Sequence, residues 1–144
     1  MSRRKILFLC TGNSCRSQMA EGWCRHLKSE LFDAFSAGIE THGLNPNAVR
    51  VMAEAGVDIS GHKSQHVDEL SNIHFDVVVT VCGHAHEHCP LFTNADRVVH
   101  VGFDDPPALA KNAASAMEAL GHYRRVRDEI GDFIAELPAS LPRD

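Results

Sequence analysis

The chain has 144 residues, 44% of them apolar and 23% charged, the profile of one globular domain able to bury roughly 68–70% of its unfolded surface. A formal charge of −5 excludes a broad basic footprint, so neither nucleic acid nor an anionic membrane is an expected main partner, and any anion site must be a local positive pocket. The basic start is followed only by Ile6–Leu9 before polar residues begin, too short for a signal-peptide core, and no apolar run approaches the ~20 residues of a membrane span; a cytoplasmic chain is expected.

In chain order, Ile6–Leu9 fits one buried parallel strand. It stops at Cys10, and a helical pattern begins near Ser17. Between them lies Cys10-Thr11-Gly12-Asn13-Ser14-Cys15-Arg16, a Cys-x5-Arg spacing. A strand that turns through small residues into a helix aims its backbone N–H groups at one point, where the helix N-terminus adds partial positive charge. Such a nest holds a tetrahedral oxyanion, with Arg16 closing over it by a two-pronged contact. The same field predicts a lowered pKa for Cys10, since cysteines so placed fall to roughly 3.5–7.5 from about 8.5. Cys10 then reads as a thiolate nucleophile. The alternative is a buried filler cysteine beside an ordinary Gly12-Asn13 turn.

Ser17 to about Glu30 reads as an amphipathic helix, with Met19, Trp23, Leu27 and Leu31 on one face, Ser17 as its cap and Cys24 as packing. Phe32–Ile39 includes a strand. Asn45-Pro46 starts a helix that ends near Gly56, and Val67–Leu70 suggests a short helix capped by Ser64. Asp76–Cys82 is the clearest central strand. Residues 83–94 are polar and irregular, and Arg97–Val101 reads as a second interior strand. A long helix is expected from Ala108 or Asn112 to Leu137, with Met117, Leu120, Tyr123, Val126, Ile130, Phe133 and Ile134 facing inward. Residues 138–144 are expected to form a loose tail. This alternation predicts an α/β fold: a single domain over 1–144, with a four-stranded parallel sheet and helices on both faces. Ligands then sit outside the carboxyl ends of the strands, where Cys10, Cys82 and the Asp104-Asp105 loop converge.

Five cysteines in such a chain point to redox, catalytic or metal chemistry rather than a disulfide framework. Cys82 and Cys89 flank Gly83-His84-Ala85-His86-Glu87-His88. In a helix, a rise of about 1.5 Å per residue would hold their Cα atoms roughly 10 Å apart. A disulfide spans about 7 Å at most. Joining them needs the segment to unwind, which Gly83 and a polar composition make easy. A zinc site of His84, His86 and His88 with the two cysteines is an alternative, as is help from the histidines in deprotonating Cys82. In Phe103-Asp104-Asp105-Pro106-Pro107, an Asp at a strand end above the pocket suits a general acid, given a raised pKa; the plainer reading is a turn.

Cys10–Ser17 resembles the phosphate loop of low-molecular-weight protein tyrosine phosphatases, and more closely that of the thioredoxin-coupled arsenate reductases sharing that fold. The likeness runs from Lys5 to about Leu137. It implies oxyanion binding by Thr11, Gly12, Asn13, Ser14, Cys15, Arg16 and Ser17, with Asn13 tying the loop together and Ser17 donating to the Cys10 sulfur. It places Cys10, Cys82 and Cys89 at the positions of a three-thiol relay and Asp105 at the acid position, with Asp104 as its competitor. Cys15 could trap Cys10 in an off-pathway disulfide, though packing fits it better. The phosphatases commonly carry an aromatic residue just after the Asp-Pro, where this chain has Pro107, Ala108 and Leu109, which favours a small inorganic oxyanion over phosphotyrosine.

Some reductases of this kind bind potassium. Asn13, Glu21 and Ser36 match part of that site, but Lys63 and Gln65 stand where oxygen ligands are needed, so no cofactor is expected. The resemblance implies reduction of arsenate to arsenite, with arsenate and thioredoxin as partners of a monomer. A phosphate monoesterase and a non-catalytic metal or oxyanion sensor are the competing readings.

Overall fold

A computed structural model describes residues 3–83 and 94–142. Four strands form one sheet: β1 (Arg4–Cys10), β2 (Phe32–Gly38), β3 (Val77–Thr80) and β4 (Val98–His100). All pairs are parallel, in the order β2-β1-β3-β4. Ile6, Leu7, Phe8 and Leu9 are fully buried. Successive strand side chains point to opposite faces, so the sheet is covered on both sides. Each such residue contributes about 1.5–3 kcal/mol by leaving water.

The chain leaves β1 for β2 on one side and later returns to β3 on the other. The order therefore reverses at the carboxyl ends of β1 and β3, and a crevice opens there. Leu9 pairs with Thr80, and Val81 N donates to Leu9 O at 2.9 Å. That register carries Cys82 alongside the residues just beyond β1.

The helices are α1 (Arg16–Leu27), α2 (Pro46–Glu54), α3 (Pro106–Ala110) and α4 (Ala116–Ala135), with a 3-10 turn at Val67–Leu70. Asn45 caps α2 as its sequence implies, accepting from Asn47 N at 2.8 Å and Ala48 N at 3.2 Å. Such a cap is worth about 0.5–2 kcal/mol. Among the described residues no helix is long and apolar enough to cross a membrane.

Several expectations are corrected. The expected long C-terminal helix is two helices, because Ser115 starts a new one by accepting from Glu118 N at 3.1 Å. Met117 consequently lies in an outward-facing first turn, 79% exposed. β4 is an edge strand rather than an interior one. The first helix ends at Leu27 and leaves Leu27 and Leu31 exposed. Cys15, not Ser17, precedes it as the cap residue, and His66, not Ser64, caps the 3-10 turn. The chain after Leu137 is packed as far as Leu141, which is buried, with Ser140 Oγ donating to Phe133 O at 2.8 Å.

Candidate active site

The loop from Cys10 to Arg16 lies at the crevice, wrapped by residue 39 to residue 45. Backbone N–H groups of Ile39, Glu40, His42 and Asn45 donate to the carbonyls of Cys10, Thr11, Gly12 and Ser14 at 2.8–3.2 Å. Four carbonyls of the loop are thus tied to this segment. Sequence reading missed this splint. Its signal was positional: the segment follows β2, and β2 lies beside β1.

Asn13 makes the tightest part of the turn with φ at 47°, in the left-handed region that Asn tolerates better than most residues. Its fully buried side chain is held throughout. Nδ2 donates to Ser17 Oγ at 2.9 Å, and Oδ1 accepts from Gln65 N at 2.8 Å and Gln18 Nε2 at 3.1 Å. Ser17 therefore serves the loop rather than the helix end, which explains why it does not act as the cap. Ser64 does likewise, donating to Gly12 O at 3.0 Å.

The resulting pocket is about 310 Å³, bordered by Cys10, Thr11, Gly12, Arg16, Asp105 and Pro107 among others. No Phe, Tyr or Trp lines it among the described residues, and Pro107 stands on the side where the Asp-Pro sequence leads. Arg16 bridges to the far wall: Nη1 donates to Phe103 O at 2.9 Å, and Nη2 lies 3.7 Å from Asp105 Oδ1. Asp105 precedes α3 without capping it by its side chain, so the carboxylate is turned to the pocket instead. Asp104 points away and is held by Arg125 Nη2 of α4 at 3.0 Å.

Cys82 arrives from β3. Its sulfur lies 3.2 Å from Thr11 Oγ1, and its thiol is within hydrogen-bond reach of Cys10. Cys10, Cys15, Cys24 and Cys82 are all buried. The expected lowering of the Cys10 pKa is corrected by this arrangement. The Cys82 thiol first, and burial second, push Cys10 well above the ordinary thiol range, outweighing Arg16 and the Thr11 N–H that pull it down. Two adjacent buried sulfurs resist carrying charge together, so they ionise as a pair. Cys89, His84, His86, His88 and the zinc alternative built on them lie outside the described residues, as does any unwinding between Cys82 and Cys89. Among the described residues no three His, Cys, Asp or Glu side chains form a metal cluster.

Cys15 and Cys24 are both pushed up to about 12, chiefly by burial. At pH 8 roughly one molecule in ten thousand would carry either thiolate. Iodoacetamide mapping of the folded protein at pH 8 is therefore expected to leave both unmodified, with full labelling only after denaturation; labelling of Cys15 at the rate of a free thiol would contradict this.

The residues that match part of a potassium site are hydrogen-bonded within the chain. Glu21 accepts from Ser36 Oγ at 2.6 Å and Arg25 Nε at 2.8 Å, and Ser36 O accepts from Gln65 Nε2 at 2.9 Å. With Asn13 Oδ1 occupied as described, these oxygens already face N–H and O–H donors, and a guanidinium supplies the positive charge.

Residues 5–144 match the model of the low molecular weight phosphotyrosine protein phosphatase family. The chain belongs to that family, and the parallel sheet with its cysteine loop at the switch point is the fold it shares. Within the family, the chain is 51% identical over 134 residues to an arsenate reductase of Halalkalibacterium halodurans, covering 93% of this chain and 94% of that one. It is 47% identical over 136 residues to the arsenate reductase of Bacillus subtilis, covering 94% and 96%. A solved arsenate reductase in a phosphate-binding state superposes with a TM-score of 0.80 at 29% identity, covering 96% of this chain and 99% of that one.

Proposed function

We propose that the chain reduces arsenate to arsenite through a relay of Cys10, Cys82 and Cys89, without a metal cofactor, and that thioredoxin recycles it. The observation that carries the reading is the meeting of two cysteines: Cys10 lines a pocket walled by Arg16, and Cys82 lies within hydrogen-bond reach of it. A phosphate monoesterase needs one sulfur there; a two-electron reductant needs two. The names of the relatives favour the same chemistry.

Arsenate is held by the loop N–H groups and Arg16, and the Cys10 sulfur attacks arsenic while one oxygen leaves. The proton lost by the Cys10 thiol equals the one the departing hydroxide needs to become water, and Asp105 at the rim hands it over. Ser17 donates to the Cys10 sulfur while it carries charge. Cys82 then attacks the Cys10 sulfur. The S–S bond forms, the S–As bond breaks, and its electron pair stays on arsenic, which leaves as arsenite. Two thiols have lost the two electrons arsenic gained. Cys89 attacks Cys82 in turn, frees Cys10 and moves the disulfide to Cys82–Cys89. The two thiols of thioredoxin reduce that bond.

The test is arsenite formation in potassium-free buffer with thioredoxin, thioredoxin reductase and NADPH, beside the same assay with glutathione and glutaredoxin. One arsenite per NADPH with thioredoxin and little with glutaredoxin is expected. Hydrolysis of aryl phosphates with no arsenite formed by either system would favour the phosphatase reading instead.

A further inference from the structure

His42 is a residue that the relay does not use, yet it borders the same pocket as Cys10 and Arg16. It comes from the splint that follows β2, and its backbone N–H is bonded to Gly12 O at 2.9 Å. Its ring is packed close to Gly12: a Cβ added there would collide first with His42 Nδ1. The other ring nitrogen, Nε2, is 2.8 Å from Glu40 Oε2. A carboxylate only accepts, so the hydrogen of that bond sits on Nε2. This fixes what Nδ1 can be. In neutral His42 it is a lone pair, and in protonated His42 it is an N–H donor beside the loop.

We propose that His42, oriented by Glu40, is a binding residue of the oxyanion pocket: protonated, it adds a second cationic group to that of Arg16 and draws in the oxyanion. The inference rests on the reading of this pocket as an oxyanion site. Among the described residues, the charged and titratable groups near His42 are Glu40, which its ring contacts, and Cys10, Cys15, Arg16 and Asp105, which line the same pocket. Arg16 is the one permanent cation among the described lining residues. Its nearest carboxylate, Asp105, opposes it at 3.7 Å, so a further positive group changes the balance of the pocket appreciably.

The probe is inorganic phosphate, titrated calorimetrically into the reduced protein at pH 5.5 and pH 8.5, in wild type, His42→Gln and His42→Lys. Taking the ratio of variant to wild-type Kd at each pH cancels the titration of phosphate and of the cysteines. His42→Gln is expected to bind about fivefold more weakly than wild type at pH 5.5 and within about twofold at pH 8.5, since a half-exposed charge pair is worth only a modest factor. His42→Lys, a fixed cation, is expected to bind more tightly than wild type at pH 8.5. A His42→Gln ratio near one at pH 5.5, or the same loss at both pH values, would overturn the charge role of His42 and leave the pocket reading standing. Failure of wild type to bind phosphate at either pH would overturn the pocket reading, and this inference with it.

Discussion

Cys82→Ser is expected to stop thioredoxin-supported arsenate turnover by at least about a thousandfold, since a hydroxyl cannot take the place of a sulfur in thiol–disulfide exchange. The Cys10 adduct can still form, so one arsenate per protein should remain bound while free arsenite does not accumulate. Hydrolysis of an aryl phosphate, which asks for no second sulfur, should persist. Mass spectrometry of the arsenate-treated variant reads the adduct, and a thioredoxin-coupled assay reads the turnover. Full turnover by Cys82→Ser would refute the relay while leaving the oxyanion pocket intact. A companion substitution, Cys82→Ala, tests the electrostatics. The Cys82 hydrogen bond is the largest influence raising Cys10. Its removal should therefore move the alkylation of Cys10 to lower pH, and an unchanged profile would mean that burial dominates instead.

The second large effect is expected at Asp105. Asp105→Asn keeps the shape of the rim but can neither hold nor deliver a proton, and the loss of a general acid costs on the order of 10²–10⁴ in rate. Asp104→Asn is expected to cost less than about threefold, since it loses only a surface pair with Arg125. Rates of both variants, measured by single-turnover formation of the Cys10 adduct, separate the two carboxylates. Equal losses at both positions would mean that the loop acts as a unit and that neither Asp alone is the acid. The assignment depends on direction. One carboxylate lines the pocket near Arg16, and its neighbour is bound to a helix on the outside.

Local chemistry made part of this legible before any fold was known. Asn45-Pro46 starts a helix because a short acceptor side chain and a fixed φ suit that position whatever surrounds it. Ile6–Leu9 is a buried strand because four consecutive apolar residues have no other way to leave water in so short a span. The loop from Cys10 to Arg16 could be read as an anion nest because strand, small residues and helix follow one another directly. Signals of this kind act within a few residues, and sequence carries them intact.

Ser17 and Ser64 show where such signals mislead. Each has the chemistry of a cap, yet each is recruited by the loop: Ser17 accepts from Asn13, and Ser64 donates to Gly12 O, a residue 52 positions away. Met117 has helical spacing but sits in a first turn that Ser115 creates outside the core. A buried loop amide outweighs the local preference at Ser17, a partner distant in sequence does so at Ser64, and an interruption worth about a kcal/mol does so at Met117.

By itself the sequence determined most of the elements, the parallel α/β class, the cysteine loop between the first strand and helix, and the set of cysteines from which any redox chemistry must draw, because each follows from the chemistry of neighbouring residues. Only the tertiary structure decided which of those cysteines meet, which aspartate enters the pocket, that His42 borders it, and that Cys10 is held up rather than down in pKa. The reason is physical: β1 and β3 are adjacent at the switch point, so two buried thiols far apart in the chain meet there. There, desolvation and a neighbouring sulfur outweigh the pull of Arg16.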